Sequence, residues 1–259
     1  MTINQPTNLI YNELNHTYIR KSDGKLLAGV SSVSDFASNS QKVNALMGWA
    51  VKESLSVMRE GFDSVKTKED LALLLERART AHSKKSTEAK ETGTDIHALI
   101  ERYIKGEPLT KEEVELRAFK QFQAWIDLMK VKWVATELLV GDTEDLECAG
   151  RLDALAEING KLTLIDFKVA NALYPSYYLQ TAGYGLLLEK MGVQIVERLI
   201  LRLPKTEKIK RWIVDKYIMV DNNLEAIRVP TDYEFDKKTF RYARELYRWF
   251  NQQALKEGY

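Results

Sequence analysis

Asn159-Gly160 most narrows what this chain can fold into, because it lies between two apolar, alternating runs, Cys148 to Ile158 and Lys161 to Val169. Asn-Gly is the dipeptide best suited to the two positive φ angles of a type I′ turn, so the segment reads as a tight β-hairpin. With a two-residue loop, residues equidistant from the turn face each other, and Asp153 falls directly opposite Asp166. Period-two alternation then places Arg151, Asp153 and Leu155 with Leu164, Asp166 and Lys168 on one face, and Leu152, Ala154, Ile165 and Phe167 on the other. One face is expected to pack, leaving the other for chemistry.

Two opposed carboxylates on a sheet have Cβ atoms roughly 4.5–5.5 Å apart and repel unless something cationic lies between them. A hard cation such as Mg²⁺ uses one or two carboxylates and completes its shell with water and phosphate oxygens. Lys168 projects from the same face about 6.6 Å beyond Asp166, at a strand rise of roughly 3.3 Å per residue. An ammonium there can orient an attacking water or stabilise charge on a phosphate. The alternative is a surface hairpin with solvated charges, since opposed charges cost only on the order of 1 kcal/mol or less.

Gly150-Arg151-Leu152-Asp153, then Asp166-Phe167-Lys168, then Gln180 and Tyr184 four apart resemble the RecB-type branch of the PD-(D/E)XK nuclease superfamily, with its phage-type and mitochondrial exonucleases. D-x-K alone is common by chance; the order and the hairpin give it specificity. The resemblance spans residues 93 to 190 and is loose on either side. It implies a restriction-endonuclease-like α/β fold, with a core ordered α-β-β-β-α-β-β-α, a five-stranded mixed sheet and a largely helical N-terminal half. It also implies that Asp153, Asp166, His97 and the Phe167 carbonyl bind Mg²⁺ or Mn²⁺, with Lys168 catalytic and Gln180 and Tyr184 positioning the substrate strand. Glu137, on the preceding strand, is then a ligand, a partner of Lys168 or an edge charge. The implied activity is exonucleolytic hydrolysis of DNA, on single strands or frayed duplex ends. Two rivals stay open: an endonuclease or junction resolvase on the same core, and a nucleic-acid-binding or inhibitory module that does not cut. Val169 departs from the pattern, where relatives often carry a small hydroxyl residue.

A chain of 259 residues with 45% hydrophobic and 29% charged residues can form one domain, read here as a hairpin and helices to residue 131 and a sheet core with a last helix from 132 onward. The net charge of +1 gives no overall basic field, so DNA contacts must come from local patches. Candidates are Arg151, the run Arg77 to Lys90 with Lys84 and Lys85, and Lys205, Lys208, Lys210 and Arg211 beside Trp212. The alternative for the first run is a solvated helix face, and for the second an exposed hairpin edge. A lone Cys148 excludes an internal disulfide and a four-cysteine iron-sulfur cluster. The N-terminus shows no signal pattern and no run of 18 apolar residues occurs, so the expectation is a soluble cytoplasmic protein.

The remaining elements follow from period and punctuation. His16 to Phe36 reads as a hairpin about Asp23-Gly24, and Lys42 to Lys105 as two or three helices closed by Gly106 and Pro108. In the last of these Gly93 and His97 share a face. Thr110 and Glu113 form a capping box before a helix that buries Phe119, Phe122, Ile126 and Met129. Trp133 to Val140 reads as a strand, and a helix runs from Ser176 to Lys190 after Pro175. Ile195 to Leu203 and Ile209 to Val220 read as a further strand pair. Pro230, with a Thr231/Glu234 capping box, opens a final helix whose Ala243, Leu246 and Phe250 face inward.

Overall fold

A computed structural model describes residues 3–170, 173–203, 217–220, 224–228 and 232–257, side chains at 39–42, 45, 88–95, 217–220, 224–228 and 254–257 excepted. The chain divides into two compact units, Met1–Ala37 with Ile96–Tyr259, and Ser38–Asp95. The second unit holds helix α2 (Asn39–Gly61), a 3₁₀ turn at Phe62–Ser64 and the start of the long helix α3 (Lys68–Ile104). There Ser54 donates to the Ala78 carbonyl at 2.9 Å.

The first unit is α/β with a mixed sheet. In chain order it contains β1 (Leu9–Asn12), β2 (Thr17–Arg20), β3 (Leu26–Gly29), α1 (Val30–Ala37) and the end of α3. Next come α4 (Lys111–Glu115), α5 (Arg117–Met129), β4 (Lys132–Asp142), β5 (Cys148–Ile158) and β6 (Lys161–Val169). It closes with α6 (Pro175–Lys190), β7 (Glu197–Leu203), β8 (Tyr217–Val220), β9 (Leu224–Arg228) and α7 (Tyr233–Glu257). The sheet runs β1-β2-β3-β5-β6-β7-β9-β8, with β4 also paired to β5.

The hairpin forms as its turn demands: Asn159 and Gly160 have φ of 51° and 75°, and the register runs from Ile158↔Lys161 to Ala154↔Ile165. β6 then pairs in parallel with β7, so it is covered on both faces, as its near-continuous apolar sequence requires. One face packs Leu155 and Leu164 against Val30 and Val33 of α1, Leu186 to Leu188 of α6, and Phe240 and Ala243 of α7. The other packs Ala154, Ile165 and Phe167 against Ile96 and Ile100 of α3 and Phe119, Phe122 and Trp125 of α5. Helices α6 and α7 come close because residue 183 is glycine, where a Cβ would lie 2.5 Å from Phe240 Cε2.

Several expectations need correction. The sheet has nine strands among the described residues rather than five, because β3 joins β5 in parallel at Cys148 and Ala149 and brings the N-terminal hairpin with it. The segment after Gly29 is helix α1 instead of more strand. The Thr110/Glu113 capping box is present, but Leu116, at ψ 129°, breaks the expected single helix into α4 and α5. The antiparallel neighbour of β7 is β9, with β8 outside it; of the expected strand Ile209 to Val220 only β8 lies within the described residues. On α7 the inward residues are Phe240, Ala243 and Arg244, whereas Leu246 is 50% and Phe250 49% exposed. The helix is capped by Asp232, whose Oδ1 accepts from the Phe235 N–H at 3.0 Å; Pro230 and Thr231 lie outside the described residues. So do Lys205, Lys208, Lys210, Arg211 and Trp212. Among the described residues no helix is long and apolar enough to cross a membrane.

Candidate functional site

The site grows from a gap in β-pairing. One edge of β5 pairs with β3 at Cys148 and Ala149 and with β6 from Ala154 onward. Between them, no strand among the described residues pairs with Gly150 to Asp153 on that edge, and side chains take over. On its other side β5 pairs with β4 through Thr136↔Ala154 and Leu138↔Leu152, skipping the pair Glu137 and Asp153. Glu137 there has φ 50°, a left-handed conformation that costs a non-glycine residue energy and concentrates at functional positions. The irregularity also shifts the faces: Leu152 packs with Leu155 and Leu164 rather than with Ala154. Simple alternation therefore fails at Asp153, and the face expected to be free for chemistry is packed below the site.

Asp153 and Asp166 nonetheless come together. The Phe167 N–H donates to Asp153 Oδ2 at 2.7 Å, and Lys168 Nζ donates to Asp166 Oδ1 at 2.8 Å. Asp166 is 1% exposed, and its buried Oδ2 has no hydrogen-bond partner among the described residues. Burial pushes the Asp166 carboxyl up to about 6, Lys168 opposing and the Asp153 charge reinforcing the shift. Asp153 is also raised, by burial first, against Lys168 and the Phe167 N–H. Burial pulls the Lys168 ammonium down, but Asp166 and Asp153 outweigh it and the net shift is upward. Lys168 is therefore a cation at neutral pH.

His97 reaches the pair from the last part of α3, its Nδ1 3.9 Å from Asp153 Oδ2 and its ring edge-on to Phe167. Burial and the Lys168 charge hold His97 down at about 4, so the imidazole is neutral and has a lone pair to offer. Atoms that each approach Mg²⁺ to about 2.1 Å can share it when up to about 4.2 Å apart, and His97 Nδ1 and Asp153 Oδ2 lie within that limit. A buried, unpartnered carboxylate oxygen beside a second carboxylate and a neutral imidazole fits a divalent cation. Among the described residues no three His, Cys, Asp or Glu side chains form a ready-made metal cage; Mg²⁺ bound through one or two carboxylates needs none.

Glu137 does not meet Lys168. Arg151 Nε donates to Glu137 Oε2, and burial followed by the Asp153 charge raises the Glu137 carboxyl to about 7. Arg151 also lies 4.0 Å from Glu101 on α3 and over the ring of Tyr11 at 5.3 Å. Its guanidinium is held among protein groups at the margin of the site.

Gln180 and Tyr184 bind each other and the strand. The Tyr184 hydroxyl donates to the Arg151 carbonyl at 3.0 Å, and Gln180 Nε2 donates to that hydroxyl at 3.4 Å. Tyr184 thus fastens α6 to the open edge of β5, and Gly150 makes room for it: a Cβ there would stand 2.5 Å from Tyr184 Cε1. Lys84 and Lys85 belong to the second unit, where Lys84 is exposed and Lys85 pairs with Glu53.

Sequence reasoning did not single out Glu101, Tyr177 or Arg202. Glu101 follows His97 by one helical turn, a spacing that brings it to the same flank. Tyr177 lies against Lys168, with Nζ 5.1 Å from its ring centre. Arg202 is level with Lys168 on β7 and donates to the Ala170 carbonyl at 3.2 Å. Only the fold brings the last two to the site.

No protein-family model and no curated protein matches the chain. Among solved structures, similarity is found to the crystal structure of SSO0001, at 14% identity over 77% of this chain and 86% of that one, with a TM-score of 0.31. It is also found to an alkaline exonuclease, LHK-Exo, from Laribacter hongkongensis, at 14% identity over 63% of this chain and 85% of that one, with a TM-score of 0.31. Similarity at this level transfers neither fold nor activity.

Proposed function

We propose that this chain is a divalent-cation-dependent deoxyribonuclease that hydrolyses phosphodiester bonds from single-stranded or frayed ends of DNA. The observation that carries the reading is Asp166 Oδ2, a buried carboxylate oxygen with no hydrogen-bond partner among the described residues, beside the half-buried carboxylate of Asp153 and the ammonium of Lys168. An unpartnered buried charge is costly, and a cation at the pair removes that cost.

Asp153 and Asp166 would hold Mg²⁺ or Mn²⁺, with His97 and the Phe167 carbonyl as further donors. Such a cation polarises phosphate oxygens and eases deprotonation of water at neutral pH. Lys168, one of whose three N–H donors engages Asp166 Oδ1, has donors left for a phosphate oxygen as negative charge develops there. Its upward-shifted pKa disfavours a general-base role and suits charge stabilisation. Glu137 and Arg151 brace the strand beside Asp153. Gln180 and Tyr184 position β5 and Asp153 with it.

The test is digestion of end-labelled linear DNA beside closed circular DNA, with Mg²⁺, Mn²⁺ or EDTA, by wild type, Asp166→Asn and Lys168→Ala. Progressive shortening of linear strands with intact circles, abolished by EDTA and by both substitutions, is the expected result. Discrete cuts in circles would assign an endonuclease or resolvase instead. DNA that is bound but never cut would assign a binding or inhibitory module. Equal cutting by Lys168→Ala and wild type would remove Lys168 from the chemistry.

A further inference from the structure

Two tyrosines stand at the rim of this site with no part in the chemistry above. Tyr177 is anchored: it packs with Leu173 and Tyr178 on fully buried Ile200, and Lys168 Nζ lies 5.1 Å from its ring centre. Tyr174 meets it edge to face, with ring centres 5.6 Å apart and planes at 88°. Tyr174 is also 38% exposed.

Helix capping does not account for an aromatic residue at position 174. It occupies the N-cap of α6 and makes no side-chain cap hydrogen bond, where Ser, Thr, Asp or Asn would stabilise the helix. Its backbone, at φ −119° and ψ 146°, has the extended conformation that a following proline imposes. Pro175 fixes φ at the next position in turn, so the backbone that carries the ring is restrained. An accessible ring one aromatic contact away from Lys168 has the attributes of a stacking surface beside the proposed phosphate site.

We propose that Tyr174, buttressed edge to face by Tyr177, is a platform on which an unpaired nucleobase of the strand being cut stacks, and that this platform selects single-stranded ends. The proposal rests on the nuclease reading, because it places the base next to a phosphate held at Lys168. Every base has a π-face, so the platform accepts any sequence. A base inside a duplex is stacked on both sides and must first leave its neighbours, so fully paired DNA is disfavoured until it frays.

The experiment measures binding separately from cutting. Fluorescence anisotropy in EDTA compares the full chain on labelled oligo-dT, on a base-free strand of equal length and on a blunt duplex. Tyr174→Leu is expected to weaken oligo-dT binding by roughly 5- to 100-fold, the effect of losing one base-aromatic stack. Its binding to the base-free strand, which offers only phosphates, should stay within about twofold of wild type. Tyr174→Phe, which keeps the ring, should bind oligo-dT like wild type. Unchanged oligo-dT binding by Tyr174→Leu, an equal loss on the base-free strand, or a Tyr174→Phe loss as large as that of Leu would each overturn the platform. If wild type degrades DNA while Tyr174→Leu binds normally, the platform alone falls. If wild type neither binds nor degrades DNA, the nuclease reading falls with it.

Discussion

Gly150→Ala tests the mechanical link between the strand that carries Asp153 and the helix that carries Tyr184. The added Cβ would sit 2.5 Å from Tyr184 Cε1 and 3.2 Å from Val30 Cγ2, whereas non-bonded carbons settle at about 3.5–4.0 Å. The ring must therefore retreat by about 1 Å. It has little room, because Tyr184 is 5% exposed and its hydroxyl is tied to the Arg151 carbonyl at 3.0 Å, one residue beyond the substitution. Overpacking of this kind costs about 1–3 kcal/mol, and stretching the buried hydroxyl off its acceptor adds about 1–3 kcal/mol. Lower unfolded-state entropy returns about 0.4–1 kcal/mol. The expected net loss is about 1–6 kcal/mol, and urea denaturation followed by circular dichroism should read it. In the double variant Gly150→Ala/Tyr184→Leu the smaller side chain makes room for the new methyl, so the two losses should fall short of their sum by about 1 kcal/mol or more. A Gly150→Ala protein as stable as wild type, or losses that simply add, would refute the contact as the reason for glycine at this position.

Three further outcomes are expected. Adding Mn²⁺ at about a hundred times its Kd should stabilise the fold by about 2.7 kcal/mol, and Asp166→Asn should abolish that response in a thermal-shift assay. Asp232→Ala should cost about 0.5–2 kcal/mol through loss of the α7 cap, read as a lower urea midpoint with unchanged slope. Glu147, bonded to Lys25 at 2.5 Å, is held below the usual carboxylate range by that lysine first, with further help from Arg248 and Arg20. A lowered folded pKa means that its stabilisation is present above the unfolded value of 4.5 and fades as pH falls through the folded one. Glu147→Gln should thus be less stable than wild type at pH 7, with the difference shrinking below about pH 4.5 in urea titrations at each pH.

What was legible in the sequence was local and periodic. Asn159-Gly160 determined the hairpin register because few residue pairs accept two positive φ angles, and the Thr110/Glu113 box marked its helix start because both side chains complete backbone bonds within three residues. The shift of faces at Asp153 was not legible. It depends on Glu137 adopting φ 50°, and glutamate carries no local preference for that conformation. The inward face of α7 was misread because the helix is apolar on more than one side, while Arg244, 5% exposed, occupies a position where charge predicts exposure. Joining β3 to β5 takes a parallel pairing across more than a hundred residues, which no short-range pattern records. For the same reason the motif located Asp153, Asp166, Lys168 and His97, whereas Tyr177 and Arg202 became visible only once α6 and β7 were in place.

The setting of the two acids bears on the proposed cation, because it lets the fold form without one and leaves a carboxylate oxygen open to one. A solvated pair on a hairpin would cost little and ask for nothing. Here helices pack on both faces of β5 and β6, Asp166 is buried and Asp153 half-buried, and each is only partly compensated: the Phe167 N–H satisfies one oxygen of Asp153, and Lys168 satisfies one oxygen of Asp166. Full compensation from the protein would leave a structural ion-pair network with no use for a metal. No compensation would raise the cost of folding by several kcal/mol for each buried ion. On the proposed reading this half-measure leaves Asp166 Oδ2 as the group with most to gain from an incoming cation, with the Lys168 ammonium beside it. Substituting Asp166 should therefore remove metal affinity without unfolding the protein, whereas substituting Lys168 leaves the carboxylates to bind the cation and removes the group that answers charge on the phosphate.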